Sequence, residues 1–355
     1  MSTPSYPPFS SLPTLKKIPI FLNPKSPFSH ISSPINPKTL SNKSPINLKT
    51  PLSQNSCPLL PPLHSSSTTP STTTSNSLKA RLKNGETLYG IFILSFSPTI
   101  AEIAGLAGYD FAVVDMEHGF GGIADALECI RALAASRTPV VLRLPESSAV
   151  WAKKALDLGP QGIMFPMIDS PKEARKAVSY CRFPPKGIRG SAHTVVRASD
   201  YGIDEGYLGN YEEELLVMCQ VESGEGVERI EEIAGIDGVD CVQMGPLDLS
   251  ASLGYLWDPG HKKVKEMMRK AENGVMGTTK KGGNGGAFLA GFAMPHDGAE
   301  NLRLRGYRMV SGAVDVGLFR NAAVEDVRKF KMGLDRGSDH EMEEEKDGDE
   351  KYWSE

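Results

Sequence analysis

Eight short runs of β-branched and other apolar residues recur between about residues 78 and 333, each followed by a stretch with helical spacing. The runs are Leu88–Phe96, Phe111–Asp115, Val140–Arg143, Gly162–Pro166, Leu215–Val221, Cys241–Met244, Ala287–Phe292 and Met309–Val314. Among the stretches between and after them, Ile123–Ala135, Val150–Leu158, Pro171–Tyr180, Gly226–Ile233 and Ala323–Met332 place their apolar residues on one helical face. A strand that is followed by a helix is carried back to its starting edge, so successive strands run parallel. Strands and helices alternating in this way over about 250 residues predict an α/β fold: a parallel, eight-stranded (β/α)8 TIM barrel. The competing arrangement is a doubly wound open sheet. It would carry a glycine-rich phosphate turn after its first strand, and Ser95-Phe96-Ser97-Pro98 has no such character. The glycines of Gly282–Gly286 precede a strand rather than open a helix, so they read as a loop and not as a phosphate cradle.

The flanks differ from this middle region. Residues 1–77 contain no Asp or Glu, are rich in Ser, Thr and Pro, and show no periodicity; the first acidic residue is Glu86. Such a segment cannot bury enough surface to fold. Its short apolar run Ile18–Leu22 is broken by Pro19, which excludes the core of a secretory signal. An acid-poor, hydroxyl-rich N-terminus reads as a transit peptide. The absence of arginine before Arg81 favours the chloroplast over the mitochondrion, and a plain disordered tail is the other reading. Residues 334–355 are strongly acidic and read as a solvated, disordered tail. The net charge of −4 gives no basic field for nucleic acid, and no apolar run is long enough to span a membrane. The five cysteines are scattered without a CxxC pair, which disfavours a disulfide framework and a thiolate zinc site.

In a (β/α)8 barrel the chemistry sits where strands end. The second run ends in Asp115-Met116-Glu117-His118, the third in Arg143, the fifth in Gln220-Val221-Glu222, and the sixth leads into Gly245-Pro246-Leu247-Asp248. Each has a structural explanation on its own, since a carboxylate after a strand often caps the next helix. Convergence of four at one mouth points to a site. Glu222 and Asp248 lie on adjacent strands without a nearby Cys or His pair. They suit a hard cation, magnesium or manganese, with water and substrate completing the octahedron. Gly245-Pro246 permits close approach of a ligand to the backbone, and the amides of Leu247 and Asp248 could hold a substrate carboxylate.

Arg143 ends an otherwise apolar strand. It either stabilises a developing oxyanion or forms a structural salt bridge with Asp115 or Glu117. His118 is a candidate general base, and Asp157, at the end of the helix after the third strand, either orients it or is a surface carboxylate. No lysine lies in the fourth to sixth runs, which argues against Schiff-base chemistry and for a metal-stabilised enolate.

Taken together, Asp115-x-Glu117-His118, Val141-Leu142-Arg143, Leu156-Asp157-x-Gly159 through Pro166-Met167, Phe183-Pro184-Pro185-x-Gly187-Ile188-Arg189-Gly190, Gln220-x-Glu222 and Gly245-Pro246-x-Asp248-Leu249-Ser250 resemble the HpcH/HpaI aldolases. These are class II pyruvate aldolases of the phosphoenolpyruvate/pyruvate barrel superfamily. The resemblance runs from about Leu78 to Met332. It implies a divalent metal on Glu222 and Asp248, chelated by the carboxylate and keto oxygens of pyruvate. It implies that Arg143 stabilises the enolate and that His118, with Asp157, handles the proton of the aldol hydroxyl. It also implies a small 2-oxo acid and an aldehyde as reactants, in a hexamer built from dimers that exchange their last helix, here within Val324–Met332. Gln220 joins Gly245, Pro246, Leu247 and Asp248 as the expected substrate-binding set. Leu247 stands where the family often has a small residue, so a narrower mouth is expected, and Trp257–Gly286 matches only loosely. The rival readings are an acyl-CoA lyase or condensing enzyme of the same superfamily, and a barrel that binds without catalysis. No basic, adenine-sized site supports the former, and the intact Glu222, Asp248, Arg143 and His118 speak against the latter.

Overall fold

The computed structural model describes residues 77–281 and 286–336. The acid-free segment before Ser77, residues 282–285 of the glycine-rich run, and the acidic stretch after Arg336 lie outside the described residues. Eight strands form a closed barrel: β1 (Leu88–Ile93), β2 (Phe111–Asp115), β3 (Val140–Arg143), β4 (Gly162–Phe165), β5 (Leu216–Val221), β6 (Cys241–Met244), β7 (Phe288–Phe292) and β8 (Met309–Val314). Every neighbouring pair is parallel, and β8 closes the ring against β1 with a register shift at Gly90/Ile91. Helices lie between successive strands, as the alternating pattern requires. The predicted (β/α)8 barrel is therefore the observed fold.

Side chains alternate across each strand, and this alternation builds two apolar clusters. One residue set (Ile91, Val114, Leu142, Phe165, Val217 and Val242 among them) faces the helices. The other fills the barrel with Phe92, Phe111, Val113, Val141, Met164, Met218, Cys241 and Met309. Burial of each large side chain of this kind stabilises the fold by roughly 1.5–3 kcal/mol. The helix Leu78–Lys83, capped by the Ser77 hydroxyl, adds Leu78 and Leu82 to the interior cluster. Lys79 on that helix pairs with Asp240, which precedes β6, at 3.0 Å.

The inward parity continues to the C-terminal ends of the strands, but the chemistry of the residues changes there. Two positions beyond Val113 stands Asp115; two beyond Val141 stands Arg143; two and four beyond Met218 stand Gln220 and Glu222; two beyond Cys241 stands Gln243. All five are buried. The fold thus places a polar layer on an apolar plug.

Several element bounds differ from those the sequence suggests. β1 stops at Ile93 and not at Phe96, because the next two amides, of Leu94 and Ser95, donate to the Asp315 carboxylate at 2.9 and 3.1 Å. The single helix expected over Gly226–Ile233 is two, Gly224–Glu228 and Ile230–Ala234, broken at Arg229. The last helix begins at Asp315 rather than Ala323 and runs to Arg336, with Leu318, Phe319, Val327 and Phe330 exposed along it.

Candidate active site

Asp115 organises the mouth. Its carboxylate is fully buried, and it accepts from Nε and Nη2 of Arg143 and from the backbone amides of Glu117 and His118. The Nε bond is 2.8 Å and the amide bonds are 3.0 and 3.3 Å. One carboxylate therefore fixes the guanidinium by two edges and shapes the turn that carries His118. The Arg143 guanidinium also lies over the Phe92 ring, 5.1 Å from its centroid. Its remaining nitrogen, Nη1, faces the Gln220 carbonyl at 3.3 Å and a Glu117 carboxylate oxygen at 2.9 Å. The Glu117 oxygen is buried yet lies off the N–H axis, so it has the charge contact without a hydrogen bond.

Glu222, just past β5, is buried. One oxygen accepts from the Met167 amide at 2.9 Å and the other from the Gln220 side-chain amide. Burial first, and then the negative charges of Glu117 and Asp248, push its carboxyl up to about 7, against these two neutral donors. Burial likewise raises the Glu117 carboxyl, with the Arg143 charge pulling the other way. Gly245 N-caps the helix Pro246–Ser252, whose first turn carries the exposed Asp248. A β-carbon at Gly245 would sit 2.5 Å from the Glu222 carboxylate, so glycine is required there for Glu222 to keep its place.

These groups line or adjoin a cavity of about 220 Å³ walled by Phe92, Leu94, Asp115, His118, Arg143, Gln220, Gln243–Asp248, Phe292, Met294 and Val314. No lysine lines it. Four carboxylates (Asp115, Glu117, Glu222 and Asp248) thus meet one guanidinium. Among the described residues no three His, Cys, Asp or Glu side chains form a complete metal cage. An excess of carboxylates at the mouth, with Glu222 buried past β5 and Asp248 exposed on the helix after β6, suits a cation that takes its other ligands from water and substrate.

The family model described as HpcH/HpaI aldolase/citrate lyase matches residues 88–322, from the first strand into the last helix. The chain belongs to the HpcH/HpaI family. The 2-keto-3-deoxy-L-rhamnonate aldolase of Escherichia coli strain K12 is 35% identical over 259 residues, which cover 73% of this chain and 94% of that enzyme. An HpcH/HpaI aldolase/citrate lyase family protein from Burkholderia cenocepacia J2315 superposes with a TM-score of 0.66 at 36% identity, over 72% of this chain and all of that one. An HpcH/HpaI aldolase from Desulfitobacterium hafniense DCB-2 does so with a TM-score of 0.65 at 26% identity, over 72% and 96% of the two chains. This HpcH/HpaI chain is accordingly an enzyme, a lyase of the aldolase type.

The HpcH/HpaI site brings together His118, Arg143, Gln220, Gly245, Pro246, Leu247 and Asp248 in the cavity wall, with Glu222 immediately beside it. Asp157 is placed elsewhere. It ends the helix Ala149–Asp157, does not line this cavity, and has Arg189, Lys154 and Lys153 as its charged neighbours, burial raising its carboxyl against them. Within one protomer the expected His118–Asp157 pairing is therefore not formed. Arg143 is salt-bridged to both Asp115 and Glu117, as one reading of its sequence expects, and it also lines the cavity. Sequence reasoning names Asp115 only as a salt-bridge partner and leaves out Phe92, Gln243, Phe292 and Met294 as wall residues. Strand parity would find the first three, each being an inward position at the C-terminal end of its strand.

Proposed function

We propose that this chain is a class II pyruvate aldolase that cleaves or forms 4-hydroxy-2-oxo acids through the enolate of pyruvate. The observation that carries this reading is one guanidinium, clamped by Asp115 on two edges, whose third nitrogen faces Gln220 and Glu117 at a mouth that also holds the carboxylates of Glu222 and Asp248. The activity of the Escherichia coli relative on a 2-keto acid supports the substrate class. A divalent cation, magnesium or manganese, held by Glu222 and Asp248 would supply Lewis-acid charge next to the keto oxygen.

The residues of the chain do the rest. Asp115 holds Arg143 so that its charge is already aimed when negative charge develops on the enolate oxygen, with no reorganisation required. In cleavage, His118 takes the proton of the 4-hydroxyl, the C3–C4 bond breaks, its electron pair passes into the enolate, and the aldehyde leaves. Protonation of C3 then gives pyruvate. The reverse sequence makes the bond. Gln220 orients both sides of the site, accepting from Arg143 and donating to Glu222. Leu247, Phe292, Met294 and Val314 form an apolar wall that limits water and faces the aldehyde partner. The exposed Leu318, Phe319, Val327 and Phe330 of the last helix support a homo-oligomer in which a second copy covers them. The acid-free composition before Ser77 supports import into a plastid, which N-terminal sequencing of the mature protein checks.

Exchange of pyruvate methyl protons with deuterated water tests the central claim without requiring the aldehyde. With manganese or magnesium the wild-type chain exchanges, and after chelation it does not. His118→Ala retains exchange and loses about a hundredfold or more in cleavage of the hydroxy acid. A chain that binds pyruvate but never exchanges its methyl protons would refute the enolate reading.

A further inference from the structure

Of the five buried polar residues that face inward at the barrel mouth, four are committed to one another. Asp115 accepts four hydrogen bonds, and Arg143 donates from all three of its side-chain nitrogens. Both oxygens of Glu222 accept, from Met167 and from Gln220. Gln220 uses both ends of its amide, the oxygen on Arg143 and the nitrogen on Glu222. The fifth residue is Gln243.

Gln243 on β6 and Gln220 on β5 are register partners, so the two side chains stand next to each other on the inward face. They are almost equally withdrawn from water, at 5% and 4% exposure. Their bonding differs. The Gln243 nitrogen donates one bond, to the carbonyl of the adjoining Met244, at 3.3 Å, a long and therefore weak one. Its oxygen accepts from no described group. The register partner on the other flank is Ala290, whose side chain carries nothing polar. Among the described residues, the side-chain atoms that are sealed from solvent without a hydrogen bond are Glu117 Oε2 and Arg189 Nε. The Gln243 oxygen is not one of them. Since the residue lines the catalytic cavity, that oxygen opens into it.

An amide oxygen stripped of water without a replacement donor destabilises the complex that strips it. A ligand that fills the cavity is therefore favoured when it brings a donor to Gln243. Pyruvate has none, because an ionised carboxylate and a keto oxygen only accept. In a 4-hydroxy-2-oxo acid the 4-hydroxyl is the group whose proton goes to His118. The donor that remains is a hydroxyl further along the aldehyde fragment. Leu247, Phe292, Met294 and Val314 form an apolar wall beside it, suited to the carbon chain that carries this hydroxyl.

We propose that Gln243 determines acceptor specificity: its amide oxygen accepts a hydrogen bond from a hydroxyl on the aldehyde fragment, so the acceptor is a short hydroxyaldehyde. The inference rests on the aldolase reading above and adds to it the chemical class of the second substrate. Gln220 and Gln243 then divide the work of two adjacent amides. The first orders the protein's own charged groups, and the second reads the substrate.

Aldol addition of pyruvate to 2-hydroxypropanal and to propanal, by the full chain with manganese, tests it. The two acceptors differ by one hydroxyl. Their kcat/KM ratio in the wild type is compared with the ratio in Gln243→Met, which keeps the length of the side chain and removes the amide. The intrinsic reactivities of the two aldehydes cancel in that comparison. The ratio should fall about tenfold in the variant, the share of one hydrogen bond, and the fall should come from the hydroxylated acceptor. A residue that merely supports the fold would slow both acceptors alike. Gln243→Leu repeats the comparison, and circular dichroism checks that each variant is folded. An unchanged ratio in a folded variant overturns the assignment. Methyl exchange by the wild type separates the two levels of the argument. Exchange with an unchanged ratio removes only the role of Gln243, whereas absence of exchange removes the enolate reading and this inference with it.

Discussion

A carboxylate withdrawn from water stands at each end of the barrel, Asp240 at one and Glu222 at the other, and the two are treated differently. At the N-terminal end Asp240 is pushed up by burial but opposed by Lys79, 3.0 Å away, and it accepts from the Val217 amide at 2.8 Å. At the C-terminal end Glu222 has only neutral donors, and its nearest charged influences include the carboxylates of Glu117 and Asp248. The first is a completed structural ion pair. The second is held in place without its positive counterpart, as a binding group is held. Between them the interior changes from Phe111, Val141 and Met218 to Asp115, Arg143 and Gln220 along the same inward-facing rows. Stability and chemistry are thus separated along one axis, and each end has its own way of failing.

The largest expected effect is at the mouth. Arg143→Ala should slow pyruvate methyl exchange by on the order of a hundredfold to a thousandfold, the usual loss for one charged donor aimed at an oxyanion. It also leaves Asp115 buried without its cation, so circular dichroism must accompany the rate measurement, and Arg143→Lys supplies a variant that keeps the charge. Wild-type exchange by a folded Arg143→Ala chain would reduce Arg143 to a structural residue. The opposite end gives the opposite signature. Leu82→Ala should cost about 2–5 kcal/mol in urea unfolding, as for other large-to-small core changes, and leave the exchange rate unchanged under folded conditions. A matching loss of activity would mean that the two ends are coupled.

Next comes the pH dependence of the metal-free protein. Folded Glu222 keeps its proton up to about 7, whereas its ordinary value is 4.5. Between these values the folded state binds more protons than the unfolded one, so this group's contribution is full at low pH and is lost as pH rises through the window. The loss is on the order of 3 kcal/mol. Unfolding of wild type and Glu222→Gln in the presence of chelator, at pH 4.5 and at about pH 8, should show the decline in wild type only. Equal slopes in the two proteins would remove Glu222 as its source. Manganese should reverse the trend, because binding draws on the ionised form. The smallest effect expected is that of Gly245→Ala, whose β-carbon displaces the Glu222 carboxylate. Manganese affinity should fall about tenfold with little change in fold, as for other changes that misalign a ligand without removing it.

The strands β2, β3, β6 and β8 are legible to the residue, since each is a dense apolar run ended by a polar or turn residue. The misread ends have separate physical causes. Leu94-Ser95-Phe96 continues an apolar run, but the amides that would extend the ladder are bonded to Asp315, more than two hundred positions away in sequence. Periodicity merges Gly224–Glu228 with Ile230–Ala234, because helical spacing persists through the non-helical Arg229. In the site, Arg143, Glu222 and Asp248 were legible because strand ends are few and polar residues there are conspicuous. The clamp by Asp115 was less so. A residue that accepts four hydrogen bonds looks, in sequence, like any acid after a strand. Asp157 ends the helix that returns from β3 to the start of β4, whereas His118 follows the end of β2, so in this chain the two stand toward opposite ends of the barrel.

The wall formed by Leu247, Phe292, Met294 and Val314 contributes no charge to the network that Asp115 anchors. Substitutions in this wall can change the shape offered to the aldehyde while the guanidinium and carboxylates keep their places. Gly245 cannot drift in the same way, because any side chain there enters the space of Glu222. The mouth is therefore divided into a part that tolerates variation and a part that does not. Leu247, Met294 and Val314 are the positions at which a lineage can vary the shape of the mouth without replacing a charged group, whereas Phe292 also packs on the Phe92 ring beneath Arg143.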